Sequence, residues 1–272
     1  MKNKNFYKKI LLAYLFLVIA IFTAGFFLLP TLTSSPFATR DLIYTPEFLS
    51  IFPTLIFIFL VFHAADRFKK YGLLLVALTL LIPTFFEWFG MYVEVLFGFP
   101  YAYSGLLGIQ LYGFPVGVML AWFVLIYCSF TITNLIFDRQ TVWLAVFDAA
   151  ITTSIDLVVD PVMTSMGAWK WFGVGEYFGI PLGNYLAWFA ISLIICLIFR
   201  FVLLRKKFVV EPSRTNLEKL WTVLPVVVYM FYFVELWMLA SFVGKWDAVL
   251  IGLLSSQIIA LLALFRFYEK YW

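Results

Sequence analysis

The chain has 272 residues, with 19 Lys and Arg against 15 Asp and Glu, one histidine and a formal net charge of +4. Hydrophobic residues make up 64% and charged residues 12%, with a mean hydropathy of +1.00, whereas soluble domains run at about 45–50% apolar and about 25% charged. This excludes a soluble domain and predicts an all-α integral membrane protein whose partner is the lipid bilayer and not a nucleic acid.

Apolar runs long enough to cross a hydrocarbon core of roughly 30 Å fall at residues 10–29, 47–65, 73–98, 113–136, 141–162, 181–203, 220–243 and 247–265. They predict eight transmembrane helices; seven spans with a re-entrant segment is the alternative count. The first run follows Lys2, Lys4, Lys8 and Lys9, and its apolar stretch exceeds the about 7–15 residues of a cleaved signal. It is expected to stay as an anchor. With the N-terminus placed in the cytoplasm, only Arg40, Lys170 and Lys245 of the 19 basic residues lie on the outer side. The positive-inside rule then puts both termini in the cytoplasm of a multi-pass cell-membrane protein. One transmembrane domain covers residues 1–272, and Cys128 and Cys196, both inside spans, are expected to pack and not to bridge.

A phrase is written twice. YGFPVGVMLAWF, Tyr112 to Phe123, returns after 66 residues as FGIPLGNYLAWF, Phe178 to Phe189. The offset carries the third and fourth spans onto the fifth and sixth, so residues 73–136 and 141–203 read as a parallel internal repeat of helix pairs. It also maps Glu94 onto Asp160 and Tyr103 onto Trp169, each acid standing 21 residues before its proline. Proline in a first helical turn explains one copy; it does not explain an acid kept in step.

An ionisable group within a span is costly and faces the bundle interior or a wet cavity. Glu87 and Glu94 share a helix face, and Asp156 and Asp160 form an i, i+4 pair. With Glu235 from the seventh span they are expected to converge in the outer half of the membrane. Asp148 lies nearer the inner half, as an interhelical hydrogen-bonding partner. The outer connections supply Tyr101, Tyr103, Tyr112, Trp169, Trp171 and Tyr177, and the adjoining helix ends Trp88, Trp122 and Trp188. These rings read either as an interfacial belt or as a pocket wall whose π faces stabilise a cation. Asn184 and Glu235 join the substrate-binding candidates.

The single histidine, His63, rules out a multi-histidine iron site and leaves a serine nucleophile without a base at its depth. It is read as an interfacial or packing residue. No G-x-G-x-x-G follows a strand, so neither a nucleotide cofactor nor a metal is implied. What remains is proton transfer by buried carboxyl groups.

The stretches FEWFGMYVEVLFGFPYAY, LYGFPVGVMLAW and DLVVDPVMTSMGAWKWFGVGEYFGIPLGNYLAWF resemble the membrane-integral carotenoid 1′,2′-hydratases, which include the γ-carotene and bisanhydrobacterioruberin hydratases. The resemblance is dense from about Phe85 to Phe189. It implies cofactor-free addition of water across the terminal double bond of an acyclic ψ end group, with a long acyclic carotenoid and water as partners. The family brings no catalytic residues with it. The residues themselves suggest Asp156 or Asp160 as proton donor, with Glu87 and Glu94 orienting water and balancing a tertiary cation. Two alternatives stand beside this: an intramembrane prenyltransferase with a Mg-diphosphate site at Asp156 and Asp160, and a non-enzymatic carotenoid-binding or transport protein.

Overall fold

A computed structural model describes residues 2–32, 37–93, 97–137, 140–208 and 215–271. Each long apolar run forms a helix, as it must where no water is present to satisfy backbone groups. In chain order these are α1 (Lys2–Leu32), the short α2 (Ala38–Ile43), α3 (Pro46–Phe68), α4 (Lys70–Gly90), α5 (Val116–Ile136), α6 (Ala145–Met166), α7 (Leu182–Arg205) and α8 (Asn216–Val243). The last span comprises α9 (Trp246–Gly252), a π-helical turn at Leu253–Gln257 and α10 (Ile258–Tyr271). Among the described residues, eight helical stretches are long and apolar enough to cross a membrane. The protein is therefore an all-α, multi-pass membrane protein.

Burial orders the bundle. α5 is the central helix, 67% buried over its most apolar window, and it packs against α3, α4, α6, α8 and α10. Being apolar on every side suits it to that place. α1, only 17% buried over the corresponding window, lies at the periphery against α3 and α8.

The third span is shorter than its apolar run, ending at Gly90 and not at residue 98. The reason is steric and local. The chain turns at Met91 and Tyr92 and brings the Phe97 ring onto Gly90, where a Cβ would lie 2.0 Å from it. Tyr101 Oη then donates to the Glu87 carbonyl at 3.1 Å.

Two short antiparallel pairs cap this end of the bundle. β1 (Tyr101–Tyr103) pairs with β4 (Trp169–Trp171), aligning Tyr101 with Trp171 and Tyr103 with Trp169. Alternation along a strand turns all four rings to one side and leaves Ala102 and Lys170 exposed on the other. β2 (Gln110–Leu111) pairs with β3 (Phe114–Pro115) around Tyr112 and Gly113, which have φ of 51° and 82°. The second copy repeats this turn: Tyr177 bridges to Ile180 around Phe178 and Gly179, with φ of 53° and 85°. Two consecutive positive φ values are what a two-residue type I′ hairpin requires. Pro115 and Pro181 follow as the N-caps of α5 and α7, with nearly identical backbone angles. The repeated aromatic-Gly-x-Pro phrase thus encodes a hairpin and then a helix start.

Candidate functional site

Asp156 and Asp160 stand one turn apart on α6, and Asn184 in the first turn of α7 reaches both. Its Nδ2 donates to Asp156 Oδ2 at 3.1 Å and also to Asp160 Oδ2. Trp169 Nε1, on β4, donates to Asp160 Oδ1 at 2.7 Å. The other Asp156 oxygen, Oδ1, is buried and finds no hydrogen-bond partner among the described residues. Two carboxyl groups that share one amide donor away from water disfavour a double negative charge, which favours one proton shared by the pair. Pro161 follows directly and removes the N–H that would have reached the Leu157 carbonyl. Tyr177 Oη donates to that carbonyl at 2.9 Å instead.

Glu87, on the last turn of α4, has a different environment. Trp122 Nε1 donates to its Oε1 at 3.2 Å, and Tyr101 and Tyr103 donate to its Oε2 at 2.5 and 3.0 Å. Burial first, and then the Glu87 carboxylate, hold both phenols well above the usual tyrosine pKa. They stay protonated and remain donors, so three hydrogen bonds converge on the Glu87 carboxyl group.

Asp160, Glu87 and Asn184 border one cavity of about 90 Å³ under the β1–β4 ribbon. Glu87, Asp160 and Glu235 line it from three helices, Asn184 adds an amide, and no Lys, Arg or His is among the lining residues. Tyr101, Tyr103, Trp169, Trp171, Trp188 and Tyr232 supply aromatic wall. The rings brace one another: Tyr101 and Trp171 centroids lie 4.7 Å apart, and Trp188 stacks on Trp122 at 3.9 Å and 22°. Aliphatic side chains of α3, α5 and α8, among them Leu49, Val118 and Leu239, complete an apolar surface.

The other sequence candidates lie elsewhere. Asp156 is completely buried behind Asp160 and does not line the cavity, and Trp122 sits behind Glu87. Trp88 is turned outward, 44% exposed, with its ring against Tyr92. Tyr112 is an exposed turn residue, and Tyr177 serves the Leu157 carbonyl. Glu94 lies outside the described residues. Tyr232 was not among the candidates, although its place three residues before Glu235, on the same helix face, would have found it.

Two polar networks lie away from the cavity. His63 is buried; Nε2 donates to the Trp221 carbonyl at 2.7 Å, and Nδ1 accepts from Tyr127 Oη at 2.6 Å. Pro225 removes the N–H that would otherwise bond that same carbonyl, so the histidine completes a helix backbone. Asp148 does more than pair helices by a neutral hydrogen bond. It holds Arg200 with two bonds of 2.6 and 2.7 Å, both side chains being buried, and Arg200 also donates to Asn134 Oδ1 at 3.1 Å.

Fold and site together define a polytopic membrane protein with an internal, acid-bearing, aromatic-walled chamber for an apolar molecule. The family model described as carotenoid biosynthesis protein matches residues 48–259, most of the chain and every element of the chamber, and the protein belongs to that family. No curated protein and no solved structure matches the chain. Its role is therefore in carotenoid biosynthesis, with a carotenoid substrate and the bilayer around it.

Proposed function

We propose that the protein is a carotenoid 1′,2′-hydratase, adding water across the terminal double bond of an acyclic ψ end group. In this reading it sits in the cell membrane with both termini in the cytoplasm, and the end group enters the chamber while the polyene lies among the helices. The observation that carries the proposal is the convergence of Asp160, backed by Asp156 through Asn184, with Glu87, which accepts from three side chains, on one apolar chamber with no basic side chain among its lining residues.

The chemistry follows from those residues. Asp160, the member of the couple that reaches the cavity, donates its proton to C2′. The π electrons form the new C–H bond and leave a tertiary cation at C1′. Glu87 balances that charge, and the faces of Trp169, Trp171 and Trp188 stabilise it. Water adds to C1′ and loses a proton, giving a tertiary alcohol. Asp156 acts from behind, through the shared proton and Asn184. A diphosphate site is less well supported, because Lys170 is exposed on the outer side of the ribbon and no cation faces the aspartates from the cavity lining.

The test is expression in a bacterium that makes lycopene or γ-carotene, followed by mass spectrometry of the pigments. A gain of one water, located at C1′ by fragmentation, is expected. Pigment of unchanged mass from folded, membrane-inserted protein overturns the assignment.

A further inference from the structure

Glu235 is 8% exposed and lines the chamber from α8, yet no hydrogen bond to it is found among the described residues. That sets it apart from the other acids that line the chamber, Glu87 and Asp160. Glu87 already accepts from three side chains, and Asp160, the aspartate at the chamber, accepts from Asn184 and Trp169; Asp156 Oδ1 also lacks a partner but is closed off from the chamber. A carboxyl group that faces an apolar chamber without a protein partner is costly unless water or a ligand meets it there. Tyr232 stands three residues earlier on the same face of α8, also lines the chamber, and its hydroxyl likewise finds no partner among the described residues. The two offer a donor and an acceptor side by side. A water molecule held in a buried site needs at least two such partners.

We propose that Glu235 and Tyr232 hold the attacking water, Glu235 being the base that takes its proton; this rests on the hydratase reading above. Tyr232 Oη donates to the water oxygen, and the water donates to the Glu235 carboxylate. Once Asp160 has protonated C2′, a lone pair on the water oxygen forms the bond to C1′ while the O–H proton passes to Glu235. Return of that proton to the Asp156–Asp160 couple closes the cycle. The net reaction is alkene plus water to alcohol, with no oxidant or reductant. Glu87, fully engaged, is left to balance charge and does not carry the water.

Deuterium oxide separates the two halves of this cycle. Membranes containing the wild-type protein, incubated with the acyclic carotenoid in D₂O, should give hydrate carrying one deuterium on C2′. In Glu235→Gln the cation should still form but be trapped poorly. Hydration should fall by about 10²-fold or more, in the range of a lost general base, while recovered carotenoid of alkene structure carries deuterium at the end group. That label enters when the cation expels a proton and returns to an alkene. Tyr232→Phe, which keeps the ring and loses one hydrogen bond, should shift the same ratio by a smaller factor. Near wild-type hydration by both variants overturns the proposal. So does parallel loss of hydrate and deuterium in Glu235→Gln protein that still binds carotenoid, because Glu235 would then act before the cation. Absence of both hydrate and deuterium from the wild type instead defeats the hydratase reading itself.

Discussion

Prolines inside helices account for two polar side chains that the sequence presents ambiguously. Tyr177 reads as an aromatic wall and His63 as an interfacial ring, yet each donates to a carbonyl freed by a proline four residues on, at Leu157 and Trp221. Neither role is legible from residue type or span position, since both depend on which neighbouring helix comes within 3 Å. The acids were legible, because a carboxyl group inside an apolar run must turn inward. Their ranking was not: the spacing places Asp156 and Asp160 on one face alike, and only α7 and β4 leave Asp160 at the cavity and Asp156 behind it. Asn matches Asp in size and cannot deliver the proton, so Asp160→Asn should cost about 10²–10⁴ of the hydration rate while carotenoid binding persists. Asp156→Asn changes only the carboxyl group behind the donor, which shares Asn184 with it, and should give a smaller loss. Pigment turnover measured by chromatography in matched membranes checks the order, and equal, near wild-type rates would remove both residues from the mechanism.

Helices were the most readable elements, because length and apolarity alone dictate them in a bilayer. Their ends were less so. The apolar run of the third span continues to residue 98, but Gly90 is the point at which Phe97 can fold back, and that contact joins two segments which hydropathy reads as one. The α6–α7 pair is fastened by Asp148 and Arg200, whose charges are withdrawn from both lipid and water. Removing one partner strands the other, so Asp148→Asn or Arg200→Met should destabilise the protein by about 3–5 kcal/mol. The double change Asp148→Leu with Arg200→Met should recover much of this, since a buried pair often breaks even with apolar side chains of similar volume. Thermal unfolding in detergent distinguishes the cases; single variants as stable as wild type would show that the pair is dispensable.

Across the whole molecule, the duplicated phrase points to a two-fold arrangement. The units 73–136 and 141–203 are proposed to be related by an axis roughly along the membrane normal. The β1–β4 register is what such an axis produces when it passes between Ala102 and Lys170, since Tyr101 then exchanges with Trp169 and Tyr103 with Trp171. The hairpins share their turn conformation, and Trp122 stacks on Trp188, its counterpart 66 residues on. The strands align at 68 residues and the hairpins at 66, so the second unit is two residues shorter between them. The first helices differ more, α4 ending at Gly90 where α6 runs on to Met166. Chemistry does not follow the symmetry either: Asn184, which holds the aspartates, has Val118 as its counterpart, and both face the cavity. A duplicated scaffold with Glu87 in one half and Asp156 and Asp160 in the other would present an end group with the proton donor on one side only. An experimental structure should therefore superpose β1, the first hairpin and α5 on β4, the second hairpin and α7 by a two-fold rotation about the membrane normal, exchanging Trp122 with Trp188. A rotation axis lying in the membrane plane, or tryptophans that fail to exchange, would reduce the repeat to two similar helix starts.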